Sequence, residues 1–581
     1  MPEGTLSGSP TPARELHFIT NAPGRVAPGD AVLDLRSDLS APQREHGLAC
    51  RDVFVDWLGA LNRQNASLGW WGYTSTAKNM LSSPLGEACF GVLALRRYLS
   101  GSDAKRILVV GAPAAQRAAI GEYLGVSQSA WRVSGATARP PAVEPLLRLL
   151  WQFARIFGLW CAGRLRAPSG NAPQAALFTY VDRGFRDGPD AFFGSLSASL
   201  ASRTPAIASC HVAFVHSGYL ATLPKLRLAR SACYEPLYGS LRFPDLLWGL
   251  GVSLAAWWRA GRYAAPPLDG IPSTALLRTA LRWDLGRGGY FYNVLVYRAA
   301  RRLLARWSPE WLLYPYENKS LEKMLLLAAR EKRPGCRMVG YQHTSVTRRH
   351  ATLLFAEGEA AMTPLPDRIV TVGAATRSYL EAHGRYPAGI FATGCALRQQ
   401  PGRLLERRTA DGKIRLLLAL SSSRRELIEA VAACRSALES DRNLEMGVRT
   451  HPEFPVTLLP EGLKSWLDGH AVNLSDRPLA QNLEWCDVVV YVSSTVALEA
   501  LGSGRPVINL AIGDCIDPDP VLDPIEFHWN ADSAASLVIT ARQIASLDAT
   551  DFDRRRRQAL DYVGRYLVQP STEALERFLP R

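Results

Sequence analysis

No cysteine motif, no membrane-length apolar run and no block of like charge organises these 581 residues. The ten cysteines contain no C-x-x-C pair and no Cys/His group with metal-ligand spacing, which excludes a zinc site or a disulfide framework as the basis of the fold. Reduced, mostly buried thiols in a cytoplasmic protein are expected instead. No apolar stretch reaches the ~20 residues of a spanning helix. The first 15 residues are polar and lack the apolar centre of a signal peptide, so 1–15 is expected to be a disordered tail.

What is present is an ordinary globular composition, 47% hydrophobic and 21% charged, in a chain long enough for two or three domains. Its balance is basic: the formal net charge is +14. The excess is mostly arginine and is spread along the chain, where a nucleic-acid module would gather it on one element. A phosphorylated substrate or an anionic membrane surface is therefore the expected partner, and nucleic acid is not.

Strand–turn–helix units recur, as a parallel α/β sheet requires. Arg106 to Gly125 is the first, and Ala175 to Val181 is a strand ending at Asp182. Trp311 to Pro315 is followed by Glu317-Asn318-Lys319 and a helix, and the next strand ends in Gln342-His343-Thr344. Two consecutive strand ends thus present Glu317 and His343 at the edge where open α/β sheets hold ligands. Lys413 to Leu420 ends in Ser421-Ser422-Ser423-Arg424, a pattern that suits an anion at a helix start and equally a plain cap with solvated arginines. A strand through Met446 to Val448 delivers Arg449 and His451. The run Asp487 to Val492 ends in Ser493-Ser494-Thr495, then a helix from Val496 to Leu501 carries Glu499 on the side of Thr495. An ordinary N-cap and a solvated glutamate account for that last unit taken alone.

The pairing of Arg-Thr-His-Pro (449–452) with Ser-Ser-Thr (493–495) resembles bacterial glycosyltransferases built from two facing Rossmann domains, the GT-B architecture. Within these it resembles the users of CMP-activated sugars, the sialyltransferase and Kdo-transferase groups. The Tyr-x-Glu-Asn and Gly-Tyr-Gln-His stretches around Glu317 and His343 also look like bacterial surface-carbohydrate proteins. The resemblance implies that His451, Pro452 and Ser493 to Thr495 contact the donor phosphate beside Arg449, and that Glu499 reaches ribose or base. It implies transfer without a metal or other cofactor, with the CMP-sugar as co-substrate. It also implies a lipid-linked or oligosaccharide acceptor of capsule, O-antigen or lipopolysaccharide. A carboxylate across the cleft must serve as base or nucleophile: Glu317 is the first candidate, aided by His343, with Asp182 in reserve. The alternatives are a transferase using a UDP-sugar or CDP-glycerol, an enzyme like UDP-GlcNAc 2-epimerase, and a non-catalytic glycan-binding scaffold on the membrane.

The expected architecture is α/β: a first Rossmann-like domain over 16–363 with helical insertions, a second over 364–550 opening with the strand in Asp367 to Gly373, and a C-terminal helix over 551–581 crossing back. Two aromatic segments, Leu146 to Ala162 and Leu246 to Trp258, are flanked by arginines. They fit core helices with snorkelling arginines, or peripheral attachment to the inner face of the cytoplasmic membrane.

Overall fold

A computed structural model describes residues 14–17, 31–34, 41–80, 83–100, 106–110, 114–126, 130–134, 144–164, 172–203, 205–215, 218–399, 402–408, 412–421, 423–451, 454–512 and 516–579. Most of the expected tail lies outside them. Four short strands, β1 (Arg14–His17), β2 (Ala31–Asp34), β3 (Arg106–Val110) and β4 (Ala130–Ser134), pair in the parallel order β2-β1-β3-β4. The unit at Arg106 therefore belongs to a small sheet of its own and not to the first large one: β3 pairs with β1 and β4.

The first large sheet contains β5 (Ala175–Val181), β6 (Ser209–Val215), β7 (Tyr234–Pro236), β8 (Trp311–Pro315), β9 (Arg337–Gln342), β10 (Arg368–Thr371) and β11 (Phe391–Thr393). Their order is β11-β10-β9-β8-β5-β6-β7, all parallel. The second contains β12 (Ile414–Ala419), β13 (Leu444–Arg449), β14 (Ala471–Asn473), β15 (Val488–Tyr491), β16 (Val507–Leu510) and β17 (His528–Ala531). Its order is β14-β13-β12-β15-β16-β17, which in chain order is the doubly wound 3-2-1-4-5-6 arrangement. Central strands buried on both faces read as unbroken apolar runs, and Leu416–Leu418 and Val488–Val490 are accordingly buried almost completely.

The strand expected to open the second domain does not. β10 pairs with β9, and the Asp367 amide donates to the Met338 carbonyl at 2.8 Å. The boundary accordingly moves from Pro364 to the connection between β11 and β12. An apolar strand of four residues fits the edge of either sheet, and only the pairing decides between them.

The insertion between β7 and β8 is three helices, Phe243–Ala260, Thr274–Arg287 and Gly289–Trp307. Asp245, fully buried, ties two of them together through Arg298 at 2.8 Å and through Arg302. After β17 the helix Ala549–Tyr566 packs on the second domain's helix Val496–Gly502 and on the first domain's helix Ala374–His383. The chain then docks on the first sheet. The Val568 amide donates to the Val372 carbonyl at 3.1 Å, the Ala396 amide to the Val568 carbonyl at 2.8 Å, and Phe578 packs 5.1 Å from the Tyr341 ring. Gly373 permits this approach, since a Cβ there would stand 2.2 Å from the Tyr566 carbonyl oxygen.

Candidate functional site

In each large sheet the strand order reverses once, between β5 and β8 and between β12 and β15. Chains leaving the strands diverge at such a point, and the crevice at the carboxyl ends is where ligands sit. Asp182 and Glu317 leave the first crevice; Ser421 and Ser493 leave the second.

On the first side, Glu317 Oε1 lies 3.6 Å from His343 Nε2, and its other oxygen pairs with Lys319. Burial alone would raise the Glu317 pKa, but the Lys319 ammonium and the His343 imidazole outweigh it and hold the carboxyl below its ordinary value. Burial, opposed by Glu317, pushes His343 down to about 4. Near neutrality the pair is therefore a carboxylate beside an uncharged imidazole. Both can accept a proton, as a general base must. Beneath them Glu322 takes the Glu317 amide on both carboxylate oxygens, at 3.0 and 3.3 Å. Asp182 instead accepts the Gly184 amide at 2.7 Å, a turn within its own loop, and the structure gives it no contact with Glu317.

On the second side, Glu426 fills the crevice. Its carboxylate accepts from the Ser421 and Ser493 hydroxyls and pairs with Arg349 of the first domain at 3.3 Å. The serine cluster at β12 was expected to await an anion; its Ser421 already holds one, supplied four residues into the chain after Ser422. Ser422 and Pro452 lie outside the described residues, as does the Arg424 side chain. The Ser423 hydroxyl caps its helix at the Glu426 amide, 3.3 Å away. Thr495 makes no cap and instead accepts from Gln399 Nε2 at 2.9 Å. Ser494 is buried.

Arg449 leaves β13 and donates to the Arg477 carbonyl and to Asn482 Oδ1, at 2.8 and 2.9 Å. Burial lifts Glu499 to about 7, against the pull of Arg449 and then Arg398. His451 stands in the turn beyond β13, its carbonyl accepting the Phe454 amide at 2.9 Å.

Arg398, which sequence reasoning missed, joins the two sides. Its guanidinium lies 5.5 Å from the Phe192 ring, Phe192 packs 4.9 Å from His343, and the same charge acts on both His343 and Glu499. Arg348 adds a second bridge, reaching Asp517 at 3.1 Å and the Leu522 carbonyl at 2.7 Å. Asp517 and Asp519 have D-x-D spacing, but Asp517 faces Arg348 while Asp519 accepts from Tyr491 at 2.6 Å and lies 2.8 Å from His528 Nε2. Among the described residues no group of three or more His, Cys, Asp or Glu could hold a metal ion.

These features define the class: two Rossmann-like domains facing one cleft, with acid–base groups on one wall and arginines, hydroxyls and a glutamate on the other. No family model matches the chain, and no curated protein matches it. Among solved structures it is similar to the glycosyltransferase SnogD from Streptomyces nogalater, with 15% identity, 70% of this chain and 98% of that one covered, and a TM-score of 0.38. It is similar to MurG of Acinetobacter baumannii, with 9% identity, 70% and 99% covered, and a TM-score of 0.40. It is likewise similar to a UDP-GlcNAc 2-epimerase from Neisseria meningitidis bound to UDP-GlcNAc, with 9% identity, 68% and 97% covered, and a TM-score of 0.40. The sheet orders carry the fold without them.

Proposed function

We propose that the chain is a glycosyltransferase that binds a sugar nucleotide on its second domain and an acceptor hydroxyl on its first. The observation supporting this most directly is the carboxylate–imidazole pair at the first crevice, Glu317 Oε1 3.6 Å from His343 Nε2, with Arg398 over the Phe192 ring that packs on His343. In this reading Arg398 and Arg449 neutralise charge developing on the departing phosphate, a role that fixed charges fill well in a cleft closed to water. Ser493 to Thr495 contact the same phosphate through their backbone amides, the Ser493 hydroxyl staying on Glu426, and Glu499 receives ribose hydroxyls. Glu317 takes the acceptor proton, or attacks the anomeric carbon, with His343 beside it. The donor is CMP-activated, Kdo first and a sialic-type acid second, on the motifs at 449–452 and 493–495. The acceptor is a lipid-linked bacterial surface glycan.

Thermal unfolding with CMP, CDP, UMP, UDP and GDP tests the reading, because a ligand bound only to the folded state raises the melting temperature. CMP should raise it, and Arg449→Ala should remove the effect. A rise with UDP alone replaces the CMP donor by a UDP-sugar. Silence from every nucleotide overturns the transferase reading in favour of a non-catalytic scaffold.

A further inference from the structure

Two helices of the first half of the chain turn apolar faces to solvent. In Glu144–Arg164, Leu147, Leu150, Trp151 and Phe157 are exposed along one side, with Leu147 at 61% and Trp151 at 59%. In Phe243–Ala260, Phe243, Leu247, Leu254 and Trp258 do the same, with Trp258 at 61%. Spacings of three, four, seven and eleven residues place each set on a single helix face. The opposite faces, including Ile156 and Leu246, are the buried ones. The two stripes meet where Phe243 packs 6.2 Å from Phe157 and 6.1 Å from Trp160. Contiguous exposed apolar surface of this kind marks an interaction site.

Its charge says with what. Of the two acids in these helices, Glu144 is the first residue of its helix, ahead of the stripe, and Asp245 is buried between Arg298 and Arg302. Arg148, Arg242, Arg259 and Arg262 are exposed around the stripes, and Arg155 lies over the Trp151 ring. A second copy would bring arginine against arginine, whereas anionic headgroups complement the rim and acyl chains the stripes. The face also adjoins the crevice edge: Arg155 packs on Tyr219, which opens the helix beyond the carboxyl end of β6, and the next residue, Leu220, is 87% exposed.

We infer that this face docks on an anionic lipid bilayer and holds the first domain's crevice edge beside the membrane surface. No helix among the described residues is long and apolar enough to cross a membrane, so the contact is peripheral. The inference stands apart from the identity of the donor.

Flotation of the full chain with phosphatidylcholine vesicles, with and without phosphatidylglycerol, tests it, alongside light scattering of the protein alone. Binding should require the anionic lipid and weaken with salt. Arg148→Glu with Arg259→Glu should weaken it on the order of tenfold or more. Leu150→Glu with Trp258→Glu should abolish it at unchanged melting temperature. Failure to bind anionic vesicles, or undiminished binding by the Leu150/Trp258 variant, overturns the inference. So does self-association without lipid that the same variant disperses, which would make a second copy the occupant.

Discussion

Replacing Glu322 by glutamine should make the protein more stable at neutral pH and leave it little changed in acid. Glu322 opens the helix after β8, and its side chain is almost wholly buried. Burial first, and the Glu317 charge second, lift its pKa from 4.5 to about 8. Between those two values the folded state holds a proton that the unfolded chain releases. The stability contributed by that proton is complete below pH 4.5 and lost as pH rises through 8, at ~1.4 kcal/mol per pH unit. Glutamine has the same shape, keeps an oxygen to accept the Glu317 amide, and does not titrate. The variant's advantage should therefore grow by roughly 3 kcal/mol between pH 5.5 and 7.5. His343 and His350, both pushed down to about 4, tilt the stability of each protein the other way. They are common to both and cancel in the difference. Urea unfolding followed by tryptophan fluorescence at several pH values measures it. A difference independent of pH would refute the buried, protonated Glu322.

Glu317→Gln should lower turnover by roughly 10²–10⁴-fold while leaving the nucleotide-induced rise in melting temperature intact. Arg398→Ala should move the Glu499 titration, about 7 in the native protein, to higher pH, visible in the pH profile of nucleotide affinity. Asp245→Asn strands Arg298 and Arg302, both partly exposed, and should destabilise by about 2–3 kcal/mol in urea. Gly373→Ala forces a methyl into the Arg565 and Tyr566 carbonyls, costing about 1–3 kcal/mol and exposing the C-terminal segment to limited proteolysis.

The units around 311–343 and 444–510 were legible because each joins an apolar strand to a polar strand end. That local pattern fixes which residues reach a crevice, and Glu317 and His343 do lie 3.6 Å apart. Arg398 was not legible, because it sits in a connection without periodicity and gains its meaning only when two sheets face each other. Glu426 was hidden for a related reason. Its sequence neighbours present it as a first-turn carboxylate, while its second set of partners, Ser493 and Arg349, comes from other elements. Strand ownership failed likewise at β10, where pairing across the sheet outranks position in the chain.

The backbone passes between the two large domains twice, once after β11 and again at Leu567–Val568, and the passages are bonded side by side through Ala396 and Val568. A body hung on one thread can swing and spin; hung on two laced threads, it keeps the swing and loses the spin. Arg398 and Gln399 come two and three residues after Ala396, so the side chains that reach Phe192 and Thr495 are held close to the lacing point. Cutting the Ala396–Val568 lacing would leave each passage tethered on its own, so the second domain's orientation depends on a backbone bond and not on any side chain that faces the ligand.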